Sequence, residues 1–150
     1  GMMERTFTLT GKRPLTANVW ELTLAGDSSA MDRPGQFVNI AVAEHFLRRP
    51  ISVCDIRDGS LTLICRAGGA GTKALCASPL GTSFSLLVGL GNGYNLSQHG
   101  TRPILIGGGV GVPPLYGLAK RLLAAGITPL VALGFASAAD CFYSSELEAL

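Results

Sequence analysis

Arg49-Pro50-Ile51-Ser52-Val53-Cys54-Asp55-Ile56-Arg57-Asp58-Gly59-Ser60-Leu61-Thr62-Leu63-Ile64-Cys65-Arg66-Ala67-Gly68-Gly69-Ala70-Gly71-Thr72 is the stretch that decides the fold of this chain. Two strand-like runs, Ile51–Ile56 and Leu61–Arg66, flank Arg57-Asp58-Gly59. Asp-Gly between two such runs is a strong hairpin cue, so the pairing is antiparallel. The second run empties into a glycine-rich bend, which leads into a short helix near Thr72–Ala77. Working outward, Thr6–Thr10, Val19–Leu24, Phe37–Val42 and Ser83–Val88 have the same short, β-branched or aromatic character. Gly11, Arg33-Pro34-Gly35 and Pro79-Leu80-Gly81 separate them as turn signals. Six short strands with one small helix predict a closed antiparallel β-barrel over residues 1–98, because closure removes exposed strand edges.

After Gly100 the pattern changes. Pro103–Ile106 reads as an apolar strand, Val112–Ala125 as a helix with Leu115, Leu118, Ala119 and Leu122 on one face, and Thr128–Leu133 as a second apolar strand. Strand, glycine loop, helix, strand is one βαβ unit, so a parallel sheet begins here. Gly126 ends its helix, and Ser144–Leu150 opens another with Ser144 or Ser145 as cap. One such unit does not cover both faces of a parallel sheet. Residues 99–150 are therefore expected to be the start of an α/β nucleotide-binding domain, cut within it, with Gly89–Gly100 as the hinge.

Composition narrows the function. Charged residues make up 15% of the 150 positions, against a usual share of roughly 25%. Either part of the surface is covered by a partner, cofactor or further chain, or the surface is neutral and rich in Gly and Ala. The net charge is +2 with Lys and Arg dispersed, which argues against nucleic acid. No apolar run reaches the ~18 residues of a membrane span, and no secretory leader opens the chain; a cytoplasmic protein is expected. Cys54, Cys65, Cys76 and Cys141 lack close metal-ligand spacing. They read as free, mostly buried thiols, with disulfides or a metal site as the other readings.

Three segments are suited to a phosphorylated cofactor. In Arg49-Pro50-Ile51-Ser52, the proline restricts Arg49 to extended backbone and aims its guanidinium, the side chain suited to a bidentate grip on diphosphate. Ser52 and Ile51 lie on opposite strand faces, supplying the hydrogen-bond partner and the apolar contact that a flavin ring needs. Arg66-Ala67-Gly68-Gly69-Ala70-Gly71-Thr72 offers converging backbone amides and a helix N-terminus, with Thr72 as cap. Gly107-Gly108-Gly109-Val110-Gly111-Val112-Pro113-Pro114 contains G-x-G, but its third glycine position is Pro114 and the next strand ends in no acidic residue. These departures argue against a standard NAD-binding Rossmann unit, although the prolines suit a first helical turn. Each segment alone also reads blandly: solvated arginines at an edge strand, a threonine-capped turn, a tight strand-to-helix connection. His45 and His99 join no catalytic constellation, so any chemistry belongs to a cofactor.

In combination these motifs resemble the ferredoxin-reductase superfamily. They are most similar to the electron-transfer subunit of NAD-dependent dihydroorotate dehydrogenase, through Arg-Arg-Pro-Ile-Ser, Arg-x-x-Gly-x-Gly-Thr, Gly91-Asn92-Gly93-Tyr94 and Gly-Gly-Gly-x-Gly-Val-Pro-Pro-Leu. The resemblance implies an oxidoreductase in which Arg49, Pro50, Ile51 and Ser52 hold FAD, with Arg49 on the pyrophosphate and Ser52 nearest the ring as the catalytic residue. Ile64, Cys65 and Arg66 would line its ribityl and adenosine side, and Gly71 and Thr72 its diphosphate. Gly108, Gly109, Val110, Gly111 and Val112 would approach NAD(H). The family passes electrons from NADH through FAD and a [2Fe–2S] cluster to an FMN-containing dihydroorotate dehydrogenase catalytic subunit, as a heterotetramer in pyrimidine biosynthesis. Its cluster cysteines lie beyond the end of this chain, so no metal ligand is assigned here. Cys65 stands where an aromatic is common, and Ala136 where wider relatives carry an arginine. A differently partnered NAD(P)H-dependent flavin reductase and a cofactor-free docking scaffold remain as alternative readings.

Overall fold

Alternation of apolar and polar side chains folds the first part of the chain into sheet, and the resulting ring of strands carries the candidate site. The computed structural model describes residues 3–32, 36–41, 49–90, 104–108, 112–134 and 141–150. The elements are β1 (Met3–Pro14), β2 (Val19–Ala25), β3 (Phe37–Ile40), β4 (Arg49–Arg57), β5 (Ser60–Arg66), α1 (Ala70–Ala77), β6 (Ser83–Leu90), β7 (Ile104–Gly108), α2 (Val112–Ala124), β8 (Leu130–Gly134) and α3 (Ser144–Glu148). The first six strands pair antiparallel in the order β1-β2-β5-β4-β3-β6, and β6 returns to β1 to close the ring.

Inside the ring, Phe7, Leu9, Leu22, Leu24, Leu61, Leu63 and Leu86 are fully buried. In β2 the period of two is explicit: Leu22 and Leu24 enter this core, while Glu21 and Thr23 face outward. Gly59, at the tip of the β4–β5 hairpin, has φ +80°, a conformation that glycine adopts without steric cost. Gly11 does not end a strand as expected. It lies at a bulge opposite β2, where the register shifts between Leu9 and Gly11, and β1 continues to Pro14 paired with Trp20. α1 packs on β5 and inserts Leu75 and Cys76 into the barrel core.

The second unit pairs β7 and β8 in parallel, Ile104 opposite Leu130 through Gly108 opposite Gly134, with α2 between them in sequence. Leu115, Leu118, Ala119 and Leu122 form the buried face of α2, joined by Ile127, Val131 and Leu147. Gly126 (φ +79°) ends the helix: Ile127 N–H donates to the Leu122 carbonyl at 2.9 Å and Gly126 N–H to the Leu123 carbonyl at 3.0 Å. That pair of bonds is a Schellman stop. The last helix departs from expectation. Its cap is Tyr143, left-handed at φ 67°, and neither Ser144 nor Ser145. Contacts with Tyr116 and Glu21 hold the Tyr143 side chain in place and override the local preference for serine.

Candidate functional site

The site begins where β4 and β5 part. β4 pairs with β5 from Val53 to Arg57, but Arg49–Ser52 pair with β3, as Arg49–Ile40, Pro50–Asn39, Ile51–Val38 and Ser52–Phe37. On the other side Ile64, Cys65 and Arg66 pair with Glu21, Trp20 and Val19 of β2. Among the described residues the β4–β5 ladder ends at Val53–Leu63 and no ladder joins Arg49–Ser52 to Ile64–Arg66, an unpaired stretch that forms the seam. Pro50 fits here because a missing N–H does no harm at a strand end with one paired edge. The seam starts at a bulge between Val53 and Asp55. That bulge turns two consecutive side chains, Cys54 and Asp55, towards the second unit.

Beyond β5 the chain bends through exposed Gly68, Gly69 and Ala70 into α1. Space opens around the glycines: a Cβ built at Gly68 meets nothing within 4 Å. Thr72 is not the cap. Gly69 takes that position in extended backbone (φ −120°, ψ 174°), so the helix starts at Ala70. The Thr72 hydroxyl reaches back, accepting from Gly69 N–H at 3.0 Å and donating to the Gly69 carbonyl at 3.2 Å. No side chain caps the amides of the first turn, and no acidic residue occupies it. Those N–H groups and the helix dipole favour an anion. At the other end Lys12 Nζ donates to the carbonyls of Cys76 and Ser78, each at 3.0 Å, and lies 5.3 Å from the Trp20 ring centre. The short helix is thus tied to the barrel at its C-terminus while its N-terminus stays open.

The structure places the expected residues unevenly. Ile51 is in the barrel core, while Ile64 faces outward against Val19, Cys54, Phe142 and Tyr143. Cys65 points into the core, where its hydrogen bond with Cys76, and then burial, hold its thiol well above the ordinary range. Only its backbone is presented to the seam. Arg66 is exposed, Gly71 buried and Thr72 half-buried. For Arg49, Pro50 and Ser52 the backbone is described and the side chains are not; Gly108 likewise marks the backbone end of β7, and Val112 the start of α2. Gly109, Val110, Gly111, Gly91–Tyr94, His45 and His99 lie outside the described residues. Pro113 and Pro114 are buried in the first turn of α2. All four cysteines are free, and Cys54, Cys65 and Cys76 are buried. Among the described residues no group of three or more His, Cys, Asp or Glu converges on a metal position. No described helix is long and apolar enough to cross a membrane.

Sequence reasoning missed a set of polar contacts that joins the two units. Lys120 Nζ donates to both Asp55 oxygens at 2.9 Å, and Arg57 Nε reaches the same carboxylate at 3.3 Å. Tyr143 donates its hydroxyl to Glu21 Oε2 at 2.6 Å, Arg13 bridges Glu21 and Glu146 at 2.9 Å each, and Arg121 donates to the Asp32 carbonyl at 3.1 Å. Burial first, then the thiol and carboxylate beside it, push the Tyr143 hydroxyl well above the usual phenol range, so it remains a donor. Asp55 was the available signal: a charged side chain in the apolar run Val53-Cys54-Asp55-Ile56 requires a partner if it is buried.

No protein-family model matches the chain. Its sequence is 41% identical to the electron transfer subunit of dihydroorotate dehydrogenase B (NAD(+)) from Bacillus pumilus, over 99% of the chain and 61% of that protein. The corresponding subunit of Geobacillus thermodenitrificans is 43% identical over 95% of the chain and 58% of its own length. Among solved structures, an NADH-dependent reduced ferredoxin-NADP oxidoreductase superposes with a TM-score of 0.83 at 27% identity, covering 94% of this chain and 52% of that one. The ferredoxin reductase of a carbazole 1,9a-dioxygenase superposes with a TM-score of 0.86 at 19% identity, covering 98% and 46%, which shows a shared ferredoxin-reductase-like fold. The chain spans about three fifths of the length of the curated relatives it matches. Identity near 40% across almost every residue makes the chain similar, over about three fifths of their length, to electron transfer subunits of NAD-dependent dihydroorotate dehydrogenase.

Proposed function

We propose that this chain is the FAD-binding part of an oxidoreductase subunit that passes electrons from NADH to a dihydroorotate dehydrogenase catalytic partner. The observation that carries the reading is the seam where β4 leaves β5, open beside the uncapped amides of α1. A strand start bearing Arg49, a backbone edge at Ile64–Arg66 and a helix N-terminus at Gly71 and Thr72 fit a flat molecule with a diphosphate tail. On this reading the barrel, residues 1–98, is the flavin domain, and residues 99–150 begin the nicotinamide-nucleotide domain. Arg49 binds the pyrophosphate with the first-turn amides of α1, Ser52 faces the ring as the catalytic residue, and Pro50 and Ile51 shape the strand beneath it. Gly108–Val112 approach NAD(H) at the N-terminus of α2. When bound, the flavin supplies the conversion of a two-electron donor into one-electron transfers. The chain supplies position, charge compensation and a surface that excludes water.

The [2Fe–2S] cluster of the full-length family belongs, on this reading, to the portion that this chain does not span. Such a cluster needs converging thiolates, whereas Cys65 and Cys76 are in the barrel core and Cys54 packs beneath Tyr143. The partner is the FMN-containing catalytic subunit, in a cytoplasmic heterotetramer serving pyrimidine synthesis, with no nucleic acid or membrane involved. Purification, an absorption spectrum and chromatographic identification of released flavin test the core claim. A yellow protein releasing FAD is expected; a colourless one that takes up no FAD on titration overturns it. Full-length protein that reduces its flavin with NADH yet fails to couple to dihydroorotate oxidation would reassign the partner while leaving the flavin site intact.

A further inference from the structure

We propose that three polar contacts, Lys120 on Asp55, Tyr143 on Glu21 and Arg121 on the Asp32 carbonyl, act as a mount that fixes the angle between the barrel and the second unit. This deepens the reading above, since that angle sets where the N-terminus of α2 lies against the barrel. The interface combines one apolar cluster, Val19, Cys54 and Ile64 against Phe142 and Tyr143, with a polar region around Asp55. Two solvent-open clefts flank the Asp55 carboxylate, one of about 160 Å³ between β4 and α2, the other of about 280 Å³ and mostly polar, reaching Glu21 and Tyr143. Close packing resists tilting from every side; here the apolar cluster holds one end of the interface, and around Asp55, with a cleft on each side, tilting is resisted by the polar contacts. Those contacts are spread over β2, β4 and the segment after β2, and each partner on the second unit is a long side chain on α2 or just before α3. Asp55 also lies at the bulge where the seam opens.

The geometry gives leverage. Lys120 lies about 12 Å along α2 from Val112, so a tilt of ~10° about it carries the helix N-terminus about 2 Å. Misplacement by about 1 Å costs reactions between bound groups on the order of a hundredfold. Lys120, Tyr143 and Arg121 are accordingly positioning residues that touch neither nucleotide.

The test uses the whole chain, with and without flavin, and the variants Lys120→Met, Tyr143→Phe (which keeps the ring packing) and Lys120→Arg. In flavin-free protein, residual dipolar couplings report the orientation of α2 against the barrel strands. Lys120→Met and Tyr143→Phe should shift or broaden that orientation, and Lys120→Arg should restore it. In flavin-loaded full-length protein the first two should slow single-turnover reduction by NADH at least about tenfold, with flavin content and the KM for NADH little changed. Should Lys120→Met fail to fold, Tyr143→Phe decides alone. Unchanged orientation, or reduction at the parental rate, overturns the mount. A parent that takes up no flavin instead sinks the functional reading, and the orientation measurement still decides the mount.

Discussion

Replacing Thr72 by valine removes one hydroxyl and keeps the branched shape, so it isolates what that oxygen does. Its bonds are both local, to the N–H and the carbonyl of Gly69. Gly69 is exposed, so water replaces the lost partners in part, and the net loss is about 1 kcal/mol, the usual worth of a hydrogen bond at a helix start. That loss should appear in the urea midpoint of the flavin-free chain. If the same hydroxyl holds the bend in the shape that receives a diphosphate, binding FAD to the valine variant must first reorder the bend. The same 1 kcal/mol then weakens affinity about fivefold, read by fluorescence quenching on titration. Thr72→Ser should restore both quantities. FAD affinity equal to the parent's refutes the organising role. A loss of about 2–3 kcal/mol in affinity with stability unchanged refutes it in the other direction, because the hydroxyl would then be contacting the ligand directly.

Arg49→Ala should weaken FAD by about 1.5–3 kcal/mol, the worth of a hydrogen bond to a charged group; equal retention in calorimetric titration removes Arg49 from the diphosphate. Ser52→Ala should keep its flavin and slow reduction by NADH, and an unchanged single-turnover rate removes Ser52 from the chemistry. Burial pushes the Cys54 thiol up to about 12 from an ordinary 9.0. Below the ordinary value both folded and unfolded chains keep the proton, and the stability contribution is complete. Above it only the unfolded chain ionises, so stability falls by about 1.4 kcal/mol per pH unit towards the folded value. Cys54→Ala should flatten that alkaline slope in urea titrations from about pH 8 upward; parallel slopes for parent and variant refute the assignment.

The barrel was legible because its signals are local. Asp58-Gly59 demands a hairpin, and β2 writes its inward and outward faces as alternate residues. The glycine bend was legible for the same reason, although its cap was not. A threonine after glycines invites the cap role by propensity, yet an extended glycine fills the position just as well and frees the hydroxyl to brace the bend from inside the helix. Gly11 misled in a similar way, since glycine signals both a turn and a bulge and only the partner strand distinguishes them. Tyr143 shows the limit more sharply. No local rule selects a tyrosine over two following serines as a left-handed cap, because the selection is made by Glu21, distant in sequence.

The candidate site was half legible for a related physical reason. A binding seam between strands is an absence of pairing, and sequence records what a strand prefers, not where its neighbour leaves it. Two sequence features nevertheless mark the place. Pro50 cannot donate to a ladder, so it belongs where one edge is unpaired. Asp55 cannot be buried alone, so it belongs where a cation from another element arrives. The bulge between Val53 and Asp55 connects these requirements, turning β4 from β5 above it and aiming Asp55 at Lys120 below it. One register shift thereby ends the β4–β5 ladder and aims Asp55 at the second unit. Cleft geometry and the angle between the units are therefore coupled through a few residues of one strand. Substitutions at Asp55 should act on both, and those at Arg49 on the cleft alone.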